Sequence, residues 1–228
     1  MDVSKSCEFF NPALTGGSTV HIIGCGSVGS TVAENLARCG ITKFALWDFD
    51  TVEAHNIVNQ MFTEAQIGKP KTEALKEIIT SINPDAEGEI ELHPEGWQGE
   101  ILSGFVFLAV DSIEIRRDFV EKHQYSPYVK AVFDIRTLLE SAQHYAADWK
   151  SSKDKKNLLA TMQFSHEEAK AETPVSACGI TLGVATTVRL ISALAVNNFI
   201  GFLKGRELKT VVLMDGFAFT LTAFPVNE

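Results

Sequence analysis

Thr19-Val20-His21-Ile22-Ile23 is an apolar, β-branched run that stops at Gly24-Cys25-Gly26-Ser27-Val28-Gly29, and residues 28–39 beyond it carry apolar side chains at helical spacing. A strand, a glycine turn and a helix in direct succession leave few folds open. Glycines allow the tight turn and a close backbone approach, while the first N–H groups and the dipole of the helix attract an anion such as phosphate. Taken alone, a glycine trio reads equally as a turn needed only for packing.

The same alternation continues along the chain. Residues 43–47 form a second strand ending at Asp48 and Asp50. Residues 71–82 read as a helix with Leu75, Ile78, Ile79 and Ile82 on one face and Pro84 just past its end. A weaker strand lies near Ile90. Residues 105–110 are an unbroken apolar run, as in a strand covered on both faces of a parallel sheet, and Asp111 stands at its C-terminal end. Residues 113–122 read as a helix, 128–133 as a strand and 141–147 as a loosely alternating antiparallel strand, followed by a long helix at 181–203 and short strands at 211–214 and 217–223. The expected fold is α/β and Rossmann-like: an open, mostly parallel sheet with helices on both faces and antiparallel strands toward the C-terminus. Ligands of such sheets bind at the C-terminal ends of the strands.

A length of 228 residues fits one domain spanning 1–228. Residues 150–173 break the pattern: Lys150, Lys153, Lys155 and Lys156, then Glu167, Glu168, Lys170 and Glu172, leave few apolar side chains, and a mobile linker or lid is expected there. Residues 182–203 are long and apolar enough to cross a bilayer, but Arg189, Asn197 and Asn198 favour a core helix or a subunit interface. No membrane is expected, and a homodimer is. A net charge of −9 with no basic stripe argues against nucleic acid as a partner. The start, Met1-Asp2-Val3-Ser4-Lys5, has no apolar run beside a basic end, so a cytoplasmic location is expected. Cys7, Cys25, Cys39 and Cys178 lack paired spacing and are expected to be reduced; His55 and His144 lack spaced ligand partners and read as structural.

Asp48, 24 residues beyond Gly24, ends the second strand where a carboxylate can accept both hydroxyls of a ribose. An adenine nucleotide follows, and to this point an ATP user and a nicotinamide or flavin oxidoreductase stand level. The stretch Asp48-Phe49-Asp50-Thr51-Val52-Glu53-Ala54-His55-Asn56-Ile57-Val58-Asn59-Gln60, then Ile67-Gly68-Lys69-Pro70-Lys71 and a strand ending in Asp111, resembles the signature of the ThiF/MoeB/HesA family of ubiquitin-activating-enzyme-like adenylyltransferases. That signature runs Asp-x-Asp-x-Val-(Glu)-x-x-Asn-Leu-x-Arg-Gln, then Gly-x-x-Lys. The likeness covers residues 20–117 and resumes at Cys178 and the long helix.

The resemblance implies ATP-dependent adenylation of the C-terminal carboxylate of a ubiquitin-like or sulfur-carrier protein ending in Gly, with or without a following thioester step, using ATP and Mg²⁺. It implies nucleotide contacts from Gly24, Gly26, Ser27, Gly29, Asp48, Asp50, Asn56, Gln60, Lys71, Asp111 and Ser112. Carboxylate attack on the α-phosphorus needs cations to hold two anions together, and Lys71 at a helix start and Asp111 at a strand end suit the phosphates and Mg²⁺. Either could also be a solvated surface charge, and Asn56 a turn cap. Cys178, in Thr173-Pro174-Val175-Ser176-Ala177-Cys178-Gly179, resembles the family's reactive cysteine on a crossover loop, although a small residue packing a helix start explains it as well.

Three departures stand out: Asn59 replaces the family arginine, the N-terminal segment has no arginine to act as a finger, and the paired Cys-x-x-Cys is missing, so no structural zinc is expected. Arg116, Arg117, Arg136 or a partner chain are the candidates for the missing cation. Asp134-Ile135-Arg136 reads as an ion pair that ends its strand, or as one that orders the site. Two rivals remain: a catalytically weak scaffold that binds a carrier or an activating enzyme, and an NAD-dependent oxidoreductase.

Overall fold

Strands β1 (Val20–Ile23), β2 (Phe44–Trp47), β3 (Ile90–His93), β4 (Gly104–Leu108), β5 (Val129–Thr137), β6 (Ser141–Asp148), β7 (Val211–Asp215) and β8 (Thr220–Phe224) form one sheet in the order β3-β2-β1-β4-β5-β6-β7-β8. The pairings among β1 to β5 are parallel, and β6, β7 and β8 add on antiparallel. The helices are α1 (Ser27–Arg38), α2 (Lys71–Ile82), α3 (Ile113–His123), α4 (Ser152–Ala160) and α5 (Ala185–Leu203). This computed structural model describes Asp2, residues 8–165, Glu167, Glu168 and residues 182–224.

Successive strand residues face opposite sides, so Ile22 and Phe107 join Leu36, Leu75 and Phe199 beneath α1, α2 and α5, while Ile23 and Leu108 join Phe119, Leu158 and Met162 beneath α3 and α4. Both faces are covered. This is why β2 and β4 carry no polar side chain rather than apolar ones at alternate positions only. Phe107 stacks on Phe133 with centroids 4.9 Å apart, and Phe199 of α5 meets both rings edge-on at 5.6 and 5.5 Å. Fully burying one such ring stabilises the fold by about 2 kcal/mol.

The segment expected to be a linker begins as helix α4, a correction to the sequence reading. Ser151 Oγ accepts the Asp154 N–H at 3.1 Å and caps it. Leu158 and Met162 are buried against α3 and the sheet. Lysines concealed this helix from a charge count, because their stems cover apolar surface while the heads stay wet. The Lys155 ammonium lies 5.9 Å from the Trp149 ring and donates to the Gln124 carbonyl at 2.7 Å. Residues 169–173 of the expected linker, and Cys7 and Cys178, lie outside the described residues.

Helix α5 is long and apolar enough to cross a membrane by length and composition. Its Val188, Ile191, Ala195, Phe199 and Ile200 are buried, and it packs on α1, β5 and β6. Asn198, one of the three residues that counted against a bilayer, exchanges two hydrogen bonds with the Lys209 backbone (2.8 and 3.0 Å) and donates to His144 Nε2 at 3.0 Å. Its outer side leaves Leu190 half exposed, beside the β7–β8 turn at Gly216. All five residues of β8, on the sheet's far edge, are exposed.

Candidate functional site

The glycine loop joins β1 to α1 under two packing constraints. Gly24 has a φ of +93°, and a Cβ there would stand 2.7 Å from the Ala109 carbonyl just past β4; a Cβ at Gly29 would stand 1.8 Å from the Gly24 oxygen. These two glycines clamp the loop between the end of β4 and the first turn of α1. Gly26 differs: its φ is −73°, and the nearest atom to an added Cβ is Gln60 Nε2 at 4.0 Å. Here the loop faces open space beside the free N–H groups of α1, which begins at Ser27. Gln60 lines that space, with its Oε1 buried and unpartnered among the described residues.

Asp48 closes one side. Its Oδ2 accepts the Cys25 N–H at 2.6 Å and its Oδ1 accepts the Asp50 N–H at 2.8 Å, which leaves each oxygen a lone pair for a ligand hydroxyl. Burial raises its pKa, and the nearby Lys71 ammonium opposes the rise. Lys71 is itself buried at the start of α2, with Nζ 2.7 Å from Asp50 Oδ2 and its backbone N–H donating to the Asp50 carbonyl at 2.9 Å. Asn56 lies in the turn between them, where its Oδ1 accepts the Glu53 N–H at 2.9 Å, so this oxygen caps the turn.

On the other side, Asp111 follows β4 and is exposed, one residue beyond the Ala109–Val110 backbone that touches Gly24. Ser112 caps α3, its Oγ accepting the Ile115 N–H at 3.2 Å. Glycine loop, Asp48, Lys71 and Asp111 thus gather at the C-terminal ends of β2, β1 and β4, at the point where the strand order reverses, which is where open α/β sheets bind ligands.

The arginines proposed as substitutes for the family arginine are not free, which corrects the sequence reading. Arg116 and Arg136 both pair with the Asp134 carboxylate, which is wholly buried. Arg116 also donates to the Leu108 and Ile135 carbonyls at 3.1 Å, and Arg136 to the Thr161 carbonyl at 2.8 Å. Burial brings Arg116 down to about 9 and Arg136 to about 10, so both stay charged at neutral pH. Arg117 donates to the Met162 and Phe164 carbonyls at 2.6 Å. With Asp134 paired to two cations, β5 runs on through it to Thr137, beyond the end at Phe133 expected from the sequence.

Of the cysteines, Cys25 is fully enclosed and burial pushes its thiol well up, while burial raises Cys39 less. Neither is a reactive thiolate. His144 is wholly buried, its Nδ1–H facing the Asp134 carbonyl at 3.3 Å, and burial lowers its pKa to about 3. His55 is exposed, 3.4 Å from the Glu53 carboxylate. Behind Asp48, Trp47 stacks on His93 with centroids 3.6 Å apart and donates to His21 Nδ1 at 3.2 Å. No group of three His, Cys, Asp or Glu among the described residues would hold a metal unaided.

Fold and site together define a class: a doubly wound α/β domain with a glycine loop, an acidic strand end and a buried lysine at its switch point. The chain belongs to the ThiF family, whose pattern matches residues 16–228. It is 49% identical over 71 residues to ubiquitin-like modifier-activating enzyme 5 of Dictyostelium discoideum, covering 31% of this chain and 19% of that protein. The enzyme of the same name from Caenorhabditis elegans is 44% identical over 75 residues, covering 33% of this chain and 17% of that protein. The chain thus matches about a fifth of the length of these curated relatives. Among solved structures, PaaA superposes with a TM-score of 0.71 at 16% identity over 94% of this chain and 66% of its own. Escherichia coli MccB with ATP gives a TM-score of 0.69 at 16% identity over 92% and 65%. At such identity these neighbours speak for the fold alone.

Proposed function

We propose that this chain binds ATP and Mg²⁺ at the switch point and adenylates the C-terminal carboxylate of a ubiquitin-like or sulfur-carrier protein ending in Gly. The observation that carries the reading is the convergence of the open Gly26 turn, the part-free Asp48 carboxylate, the enclosed Lys71 ammonium and the exposed Asp111 on one crevice. Asp48 would take the ribose, Gly26, Ser27 and Gln60 the phosphates, and Lys71 the charge that grows as the carboxylate attacks the α-phosphorus and pyrophosphate leaves. One exposed carboxylate fits a Mg²⁺ held largely by the phosphates, so Asp111 would hold it and the ion would neutralise the leaving pyrophosphate. The names of the relatives, ubiquitin-like modifier-activating enzyme 5, support the substrate class.

Thioester formation on Cys178, a homodimer joined through the outer side of α5, and a cytoplasmic location belong to the same proposal. Identifying a carrier by co-purification from the native host, then measuring carrier-dependent ATP–pyrophosphate exchange, tests the activity. Carrier bound without exchange would favour the scaffold reading, and binding of NAD in preference to ATP the oxidoreductase.

A further inference from the structure

The site lacks the family's arginine at Asn59, Lys71 is already paired with Asp50, and Arg116, Arg117 and Arg136 are tied to Asp134 or to backbone carbonyls. We infer that Arg189, on the second turn of α5, supplies the missing cation by binding the outer phosphates of ATP. This rests on the ATP reading above. The geometry runs through residues 59–61. Gln60 faces Gly26 of the glycine loop. The Met61 N–H donates to Ser30 Oγ at 3.2 Å, which pins this segment over the first turn of α1. Asn59 Nδ2 lies only 2.3 Å from where a Cβ at Gly183 would stand, so the approach to α5 rests directly on Asn59. Residues 59–61 therefore bridge the phosphate-facing loop and the beginning of α5. Arg189 reaches that bridge, with Nη1 3.3 Å from Met61 Sδ.

A thioether is a weak acceptor for a group with five N–H donors. Acidic residues outnumber basic ones 29 to 20 in this chain, and exposed cations elsewhere find them: Arg38 pairs with Glu34, Lys69 with Glu77 and Lys209 with Glu207. Arg189 has Met61 as its sole partner among the described residues, and its side chain is exposed. An arginine that touches the segment facing the glycine loop, with most of its donors unused among the described residues of an acidic chain, has the chemistry of a polyphosphate clamp.

The test is calorimetric titration of the full chain with Mg-ATP and with AMP, comparing wild type, Arg189→Ala and Arg189→Lys, with thermal unfolding as the check on folding. Arg189→Ala is expected to weaken Mg-ATP roughly tenfold or more while leaving AMP unchanged, and Arg189→Lys to fall between. Unchanged Mg-ATP affinity in Arg189→Ala, or equal losses for Mg-ATP and AMP, overturns the inference and leaves the ATP reading standing. A wild-type chain that binds no Mg-ATP overturns both.

Discussion

Lys71 Nζ lies 2.7 Å from Asp50 Oδ2, with the lysine side chain 9% exposed and the aspartate 50%. The charge facing the glycine loop is enclosed, while its counter-ion stands in water and can give way to a stronger anion. Lys71→Met keeps the stem and removes the charge. Carrier-dependent ATP–pyrophosphate exchange should fall by about 100-fold or more, the effect of deleting one preorganised electrostatic contact, with thermal unfolding little changed. Exchange at the wild-type rate would remove Lys71 from the chemistry.

Two glycines of one loop should respond in opposite ways. Gly29→Ala puts a methyl 1.8 Å from the Gly24 carbonyl and should destabilise the whole domain, visible as a lowered unfolding midpoint. Gly26→Ala meets nothing closer than 4.0 Å and should fold normally, yet its methyl occupies the space assigned to phosphate. ATP affinity measured by calorimetry should drop sharply in this variant alone.

Asp134, wholly buried, is the one carboxylate shared by the Arg116 and Arg136 guanidinium groups. Asp134→Ala removes the buried carboxylate that both pair with and should cost about 3–5 kcal/mol. For a chain of this size that is a fall of order 10 °C in unfolding temperature, readable by differential scanning calorimetry. A smaller loss with Asp134→Asn, which keeps acceptor oxygen but not charge, would divide the effect between hydrogen bonding and ion pairing.

Three histidines are held neutral. His21 accepts from Trp47, His123 Nε2 accepts the Leu102 N–H at 3.0 Å, and His144 Nε2 accepts from Asn198. Burial lowers each pKa, His144 to about 3, so below the unfolded value of about 6.5 the unfolded chain binds more protons. Their contribution to stability is complete above pH 6.5 and is lost as pH falls, in His144 down to about 3. Urea unfolding at pH 7.5 and 5.0 should show lower stability at the acid point, by up to about 1.4 kcal/mol per unit for each histidine. His144→Gln should flatten that slope.

Cys25 and Cys39 have thiols raised by burial, and of the other two cysteines, Cys7 and Cys178, it is Cys178 that the resemblance to the family marks as the nucleophile to test. Carrier, ATP and wild-type chain should give an adduct cleaved by reductant. Cys178→Ala should lose the adduct and keep pyrophosphate exchange.

The core of this fold was legible because its signals are local. Residues 71–82 read as a helix from their spacing and form one with those bounds, and residues 105–110 read as a strand covered on both faces and overlap β4, which runs from Gly104 to Leu108. The strand-loop-helix placement of the glycines and of Asp48, Lys71 and Asp111 followed, since each ends or begins an element. What stayed hidden depends on partners far away in sequence. Helix α4 is held by Trp149 and α3, not by its own composition. The fates of Arg116 and Arg136 were decided by one shared carboxylate, and Arg189 drew notice only as a charge in an apolar helix, because its meeting with Met61 spans 128 positions.

The two rims of the sheet differ in a way that bears on handling the protein. Along β3, Glu91 and the flanking Glu89 place carboxylates beside the open backbone groups, a common guard against strand-to-strand pairing. The β8 rim, Thr220-Leu221-Thr222-Ala223-Phe224, carries no charge and exposes Leu221 at 54% and Phe224 at 39%. Concentrated solutions should therefore cloud from that edge first, and a single lysine in place of Thr222 should raise solubility without disturbing the crevice at the opposite half of the sheet.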